Sequence, residues 1–282
     1  MPELPEVETV RRGLAGVLVG RRIAHLEQRR PDLRIALPDN FASRVEGRRV
    51  LALERRAKYM LVRLEGDQVW LIHLGMSGRM GILPAGHNRP PAGPHDHVLF
   101  ETDEGVMVRF TDARRFGLMT LCSDRDLADH PLLKSLGPEP LAEDFTGRRL
   151  AAALRGKRTP IKSAILDQRV VAGIGNIYAC ESLYYAGLSP RRSAHTVQGE
   201  RAERLVGAIK EVLTAAIAAG GSTLRDHIQP SGELGYFQHR FAVYDREGEP
   251  CRQCEGQGKG TAAIRRIAQA GRSTFYCAVH QR

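Results

Sequence analysis

The hydrophobic period of this chain changes near residue 130, and that change constrains its fold more than any other feature. Before it, apolar runs are short. Segments 49–56, 59–64, 68–74, 97–102, 106–111 and 117–122 are rich in Val, Ile, Leu and Phe. Turn material separates them: Glu65-Gly66-Asp67, the stretch from Pro84 to Pro94, and Glu104-Gly105. Short strands at this spacing predict an antiparallel sandwich or barrel. A helix over 5–19 precedes them, because Val7, Val10, Leu14 and Val17/Leu18 recur at helical steps and Pro5 is tolerated in a first turn. After residue 130 the period lengthens. His130-Pro131 and Gly137-Pro138-Glu139-Pro140 read as a linker. Leu150 and Leu154 mark a helix over 146–156, and a second is expected over 176–186, capped by Asn176. The clearest stripe is Leu205, Ile209, Val212/Leu213 and Ala216/Ile217 within 198–219, stopped by Gly220-Gly221. A strand-like stretch, RFAVYDREG, then leads into a cysteine-rich tail. The division expected is an α+β chain with a β-sandwich over 1–130, a linker over 131–145, a helical domain over 146–236 and a tail module over 237–282.

Charge narrows the partners. Lys plus Arg is 42 against 32 for Asp plus Glu, a formal net charge of +10. Such an excess predicts an anionic partner, nucleic acid or an acidic membrane surface, and is silent on fold. No apolar run is long enough for a transmembrane helix. The start, MPELPEVETV, lacks the basic-then-apolar pattern of a secretion signal, so a cytoplasmic protein is expected.

The five cysteines do not read as a disulfide framework. Cys122 and Cys180 stand alone and are expected to be small buried hydrophobes. Cys251, Cys254 and Cys277 cluster in the tail, where CRQC and CAVH form two knuckles. With His280 they would make a closed, tetrahedral, structural Cys3His site for one zinc ion. Ile264, Ile267, Phe275 and Tyr276 offer a small core that the ion could staple. The other reading, a basic tail with stray thiols, leaves that spacing unexplained.

The N-terminus carries a second chemistry. Methionine before a small residue such as Pro2 is commonly removed, which would expose a secondary amine. An α-amino group titrates near 7.7–8.0, so a useful fraction is unprotonated at neutral pH and can attack an aldehydic carbon to give an imine. Glu3 beside it could shuttle protons. Taken alone, Pro-Glu is an ordinary helix start, with Glu3, Glu6 and Glu8 favouring the helix dipole.

The longer string MPELPEVETVRRGL resembles the start of the formamidopyrimidine-DNA glycosylase family, bifunctional base-excision enzymes acting on oxidised purines. RRAKYM (55–60), HLGMSG (73–78), HDHV (95–98), TDARRFG (111–117), LGPEPL (136–141), GIGNIYACE (173–181), GGSTLRD (220–226), GYF (235–237), VYDREGEPCRQC (243–254) and GRSTFYC (271–277) follow in family order over essentially the whole chain. The resemblance implies an N-terminal helix and β-sandwich, a helix–two-turn–helix domain and a zinc-finger β-hairpin, acting as a monomer on double-stranded DNA with oxidised purine lesions. It implies that Pro2 is the nucleophile, Glu3 the proton donor and acceptor at the sugar, Lys58 a handler of protons in β-elimination or a holder of a phosphate, and Arg272 a support for δ-elimination that also grips the DNA backbone. Met76, Arg114 and Phe116 would fill the void left by an everted base. His73, His95, Arg158 and Asn176 would contact the DNA backbone. The stretch 222–236 would be a loop that closes over the base. Two departures stand out: His280 replaces the usual last cysteine, and GQGKGT (256–261) reads as an insertion. An endonuclease VIII-type enzyme for oxidised pyrimidines and a catalytically silent lesion-binding protein are the competing expectations. Pro2 with Glu3 argues against silence, and the Met76, Arg114 and Phe116 set favours purines.

Overall fold

The structure, a computed structural model, describes residues 1–86, 89–222, 230, 235–256 and 262–282. Most of the expected closing loop (223–229 and 231–234) and nearly all of the insertion (257–261) lie outside the described residues. The chain forms two compact units, residues 1–134 with 219–236, and residues 135–218 with 237–282.

The first unit is an α+β sandwich. Helix α1 (Leu4–Leu18) buries Leu4, Val7, Val10, Leu14 and Leu18 along one stripe. Strands β1 (Ile23–Gln28), β6 (Asp96–Thr102), β7 (Met107–Thr111) and β5 (Arg79–Leu83) form one sheet in the order β1-β6-β7-β5. Strands β2 (Val50–Arg56), β3 (Tyr59–Leu64), β4 (Gln68–His73) and β8 (Leu118–Ser123) form the other, β2-β3-β4-β8. Every strand pair is antiparallel. Trp70 on β4 sits at the centre of the core, edge-on to Phe100 at 5.2 Å and to Phe41 of a short helix α2 (Phe41–Val45) at 5.5 Å. The six expected strands are all present. β1 and β5 were not expected, because IAHLEQ and RMGIL are too polar or too short to stand out from turn material.

The second unit is helical with a terminal hairpin. α3 (Gly147–Leu154) is capped by Thr146, whose Oγ1 accepts the Arg149 N–H. α4 (Ile161–Leu166) is short and carried no periodic signal. α5 (Asn176–Tyr185) begins at Asn176 itself; the cap is Gly175, which corrects the expected capping role of Asn176. α6 (Glu200–Ala218) buries the expected stripe of Leu205, Ile209, Val212, Leu213 and Ala216. The hairpin of β9 (Arg265–Gln269) and β10 (Arg272–Tyr276) turns through Ala270 and Gly271, both at positive φ, as a two-residue hairpin of right-handed twist requires. The expected strand RFAVYDREG is not one. The buried carboxylate of Glu181 accepts the N–H groups of Ala242, Val243 and Tyr244 at 2.8, 3.0 and 2.8 Å, so the donors a ladder would use are taken. No helix among the described residues is long and apolar enough to cross a membrane.

Candidate active site

Pro2 and Glu3 are buried at the start of α1 while Met1 is exposed. The turn is held from within: the Glu6 carboxylate accepts the Glu3 N–H at 2.8 Å. Its other oxygen accepts both the N–H and the Oγ–H of Ser222, at 2.9 and 3.0 Å. A single buried carboxylate therefore ties the N-terminal segment to the first residue of the 222–236 stretch.

One turn further along α1, Glu8 gathers three guanidinium groups. Arg11, Arg12 and Arg55 reach it at 2.8, 2.8 and 3.2 Å. Burial works against its charge, but the arginines win and hold its carboxyl down at about 2. Arg55 also donates to the Ala57 carbonyl at 3.0 Å, in the tight β2–β3 turn where Ala57 adopts positive φ and Lys58 is buried. Glu8 and Arg55 thus anchor the Lys58 turn to the helix that opens with Pro2 and Glu3.

A second cluster joins HLGMSG to TDARRFG. Gly75, at φ +64°, lies so close to the Phe116 backbone that a Cβ there would come within 2.2 Å of it. The fully buried Asp112 accepts from Ser77 Oγ at 2.5 Å and from the Gly117 N–H at 2.7 Å, and its carbonyl is 2.8 Å from His97 Nε2. On this scaffold Met76 and Phe116 are exposed, at 38% and 43%, which removes them from the sandwich core where apolar strand residues usually go. The Arg114 guanidinium lies 4.8 Å from the Phe116 ring centre. All three expected void-filling residues are thus exposed, and Arg114 and Phe116 pack on one another.

His73 is half-buried at the end of β4, its ring 4.8 Å from that of Tyr59. Burial, and after it the positive charges of Lys58 and Arg34, hold its imidazole down at about 4, so it is neutral at pH 7. Its Nδ1 accepts the Gly75 N–H at 2.9 Å, which leaves the proton on Nε2. His73 is therefore a neutral donor of fixed tautomer. His95 is exposed, and it is the neighbouring His97 that is buried.

In the second unit Arg158 is exposed between α3 and α4, and Arg272 is exposed at the first position after the β9–β10 turn. Asn176 is half-buried. Its Nδ2 donates to the Ser273 carbonyl at 2.9 Å and its Oδ1 accepts from Lys162 Nζ at 2.6 Å. Lys162, fully buried, also donates to Thr274 Oγ1 at 2.6 Å and the Ser273 carbonyl at 3.0 Å. Sequence patterning did not single out Lys162, Glu181 or Asp112, and gave Glu6 only a place near the helix dipole. Their signal is a charged residue in an otherwise apolar run, visible for IKSAIL and NIYACE once those are known to be helices.

Cys251, Cys254 and Cys277 are buried, with sulfurs all within 4.8 Å of one another and those of Cys254 and Cys277 3.7 Å apart. Burial, and then the neighbouring thiols, push the Cys254 thiol up to about 12. Three converging buried sulfurs are a donor set that suits a thiophilic dication, so the residues fit zinc. His280 is not in this group. Its Nε2 lies 2.9 Å from the Tyr184 carbonyl. Ile264 and Phe275 pack with the cysteines and with Cys180, as expected, but Ile267 stays half-exposed and Cys122 is only partly buried.

A helix-backed β-sandwich opening on Pro-Glu, a helical unit and a three-cysteine hairpin together define the helix–two-turn–helix class of DNA glycosylases. Residues 1–119 match the family model of the formamidopyrimidine-DNA glycosylase N-terminal domain, and residues 136–227 that of the H2TH domain of the same enzymes. The chain is 59% identical to formamidopyrimidine-DNA glycosylase of Rhodospirillum centenum and 57% to that of Rhodospirillum rubrum, each over the full length of both proteins. The crystal structure of the MutM (Fpg) protein of Thermus thermophilus superposes with a TM-score of 0.85 at 40% identity, covering 99% of this chain and 98% of that one. A Lactococcus lactis Fpg mutant in complex with Fapy-dG-containing DNA gives 0.88 at 33%, with both chains fully covered. The chain belongs to the formamidopyrimidine-DNA glycosylase family.

Proposed function

We propose that this protein excises oxidised purines, 8-oxoguanine and formamidopyrimidines, from double-stranded DNA and then cleaves the abasic strand by β,δ-elimination. The observation that carries the reading is the burial of Pro2 and Glu3 in a turn braced by Glu6, which holds a secondary amine and a carboxyl side by side. Once Met1 is removed, the Pro2 nitrogen attacks C1′ and gives up its proton as the glycosidic bond breaks and the base leaves protonated; the C1′–O4′ bond then opens, O4′ takes a proton and the nitrogen lone pair completes the imine as an iminium. Glu3 moves protons at the sugar. Lys58, in its anchored turn, assists β-elimination, and Arg272 supports loss of the second phosphate.

The everted base leaves a gap costing a few kcal/mol of stacking. Met76 and Phe116 fill it, and Arg114 hydrogen-bonds the widowed partner base. His73, His95, Arg158 and Asn176 hold the backbone; a neutral Nε2–H donor suits a phosphate oxygen whatever the base sequence. The Lactococcus lactis relative solved with Fapy-dG-containing DNA supports the substrate class. One zinc ion, held by Cys251, Cys254 and Cys277 with His280 as fourth ligand, would supply folding energy to the hairpin and take no part in bond breaking.

Borohydride trapping on a duplex with 8-oxoguanine opposite cytosine tests this reading. A covalent adduct is expected from the Met1-processed protein. None is expected from protein retaining Met1, whose Pro2 nitrogen is an amide. Full trapping by the Met1-retaining form would refute the assignment.

A further inference from the structure

Tyr184 touches both knuckles of the cysteine hairpin from outside it. It lies near the end of α5 and is buried. Its hydroxyl oxygen accepts the Gln253 N–H at 3.2 Å and lies 3.5 Å from Cys251 Sγ. Because the oxygen is already an acceptor, its own proton is available to the sulfur, and a metal-bound thiolate can only accept. At the other end of the same residue, the main-chain carbonyl sits in the last turn of the helix, where it accepts the Gly187 N–H at 2.9 Å and keeps a second lone pair for another donor. His280 Nε2 lies 2.9 Å from it, and the two rings pack at 4.9 Å. A carbonyl only accepts, so Nε2 carries the proton and Nδ1 of the neutral ring carries the lone pair. Neither ring nitrogen of His280 is within 4.8 Å of all three sulfurs, so its ring must swing inward to bind, and of the two nitrogens Nδ1 is the better placed by covalent reach. Nδ1 stands two bonds from Cβ, close to where a cysteine sulfur would stand, whereas Nε2 stands three. The His280 N–H bonds Cys277 Sγ at 3.4 Å, folding the knuckle so that residue 280 follows the thiol.

We propose that Tyr184 is a positioning residue for the metal: its hydroxyl donates to the Cys251 thiolate, and its carbonyl fixes His280 as the Nε2–H tautomer that binds through Nδ1. Outer-sphere partners of this kind orient ligands and commonly contribute 10- to 100-fold in metal affinity. Helix α5, which also carries Asn176, would thereby be joined to the hairpin that carries Arg272. The proposal rests on the reading of the three cysteines as a zinc site.

The test uses the full-length protein. Metal analysis comes first, and absence of zinc from freshly purified, reduced protein defeats the zinc reading itself. With zinc bound, nitrogen-15 spectra of labelled histidine report the tautomer. A protonated Nε2 and a metal-bound Nδ1 at His280 are expected; metal on Nε2, or a His280 ring free of metal, overturns the proposal. Tyr184→Phe keeps the ring and the carbonyl and removes only the hydroxyl. Zinc affinity measured by chelator competition should fall about tenfold or more while the His280 signals keep their pattern. Unchanged affinity in a folded Tyr184→Phe protein overturns the hydroxyl role, and the wild-type spectra decide the carbonyl role even if that variant fails to fold.

Discussion

Glu6 and Ser222 are 216 residues apart in sequence and joined by two hydrogen bonds, both to the same carboxylate oxygen. The other oxygen of Glu6 holds the Glu3 N–H. Glutamine is nearly isosteric but offers one acceptor and one donor, so Glu6→Gln can serve Ser222 or Glu3 and not both. Leaving a buried donor opposite an amide N–H should cost about 2 kcal/mol in urea unfolding. Because the displaced group adjoins the nucleophile, imine trapping should fall about tenfold or more in protein that is still folded. Trapping at the wild-type rate would show that Glu6 is not needed to place the N-terminal turn.

The Glu8 cluster makes a prediction in acid. Its carboxyl is held near 2 when folded, against an ordinary 4.5. A depressed folded pKa contributes stability that is full above about 4.5 and is lost as the pH falls toward 2. The shift alone corresponds to about 3 kcal/mol, and roughly 2 is expected because Arg12 is well exposed and solvent screens its share. Glu8→Gln should therefore lower unfolding free energy by that amount at pH 7 and by little near pH 2. An equal loss at both pH values would mean that packing, not charge, is what Glu8 provides.

His73 gives a contrasting case. With its folded pKa near 4, the unfolded chain binds a proton below about 6.5 that the folded one refuses, so its contribution to stability declines between pH 6.5 and 4. Its role as a phosphate donor should be constant from pH 6 to 8, since the neutral Nε2–H form is already complete there. An NMR titration should find the His73 midpoint near 4. A midpoint near 6.5 would mean that His73 is charged for part of that range and grips phosphate by charge instead.

Much of the fold was legible because the sandwich and the long helices obey simple periods: Trp70 lies in an uninterrupted apolar strand, and Leu205 to Ala216 repeat at helical steps. What was not legible is long-range polar pairing. Nothing local in NIYACE says that Glu181 will take three N–H groups from residues 242–244 and so abolish a strand whose own pattern is sound. The site divides the same way. The blocks around Lys58, Met76, Phe116 and Arg272 carried those residues, whereas the partners that aim them, Glu6, Arg55, Asp112 and Lys162, are defined only by the folded chain. His280 shows the limit most plainly, since spacing puts it in a knuckle and only the structure shows its Nε2 on the Tyr184 carbonyl.

Phe116 is 43% exposed and its removal should leave the fold intact, with unfolding free energy within about 0.5 kcal/mol of wild type. If it stacks in the gap left by an everted base, Phe116→Ala should weaken binding to a lesion duplex by about 1–3 kcal/mol, the range of one aromatic–base stack. Binding to undamaged duplex, where no gap exists, should change much less. Equal losses on both duplexes would assign Phe116 to general contact.

Lys162 carries the last prediction. It is fully buried on α4, and its ammonium donates to Asn176 Oδ1, Thr274 Oγ1 and the Ser273 carbonyl, so one cation bridges three oxygens from two elements. These bonds join the first residue of α5 to the strand that begins with Arg272. Lys162→Met preserves length and apolar volume but leaves those acceptors without that donor. Removing one member of a buried charged network costs about 3–5 kcal/mol, and a loss of about 3 kcal/mol in urea is expected. The functional consequence follows from what Asn176 and Arg272 are proposed to do. Loosening both should weaken binding to an abasic-site duplex at a temperature where the variant remains folded, and should lessen the steepness with which affinity falls in salt by about one phosphate contact. A variant that loses stability but keeps wild-type affinity and salt dependence would confine Lys162 to holding the unit together, and would separate that role from the placement of Asn176 and Arg272 against the DNA backbone.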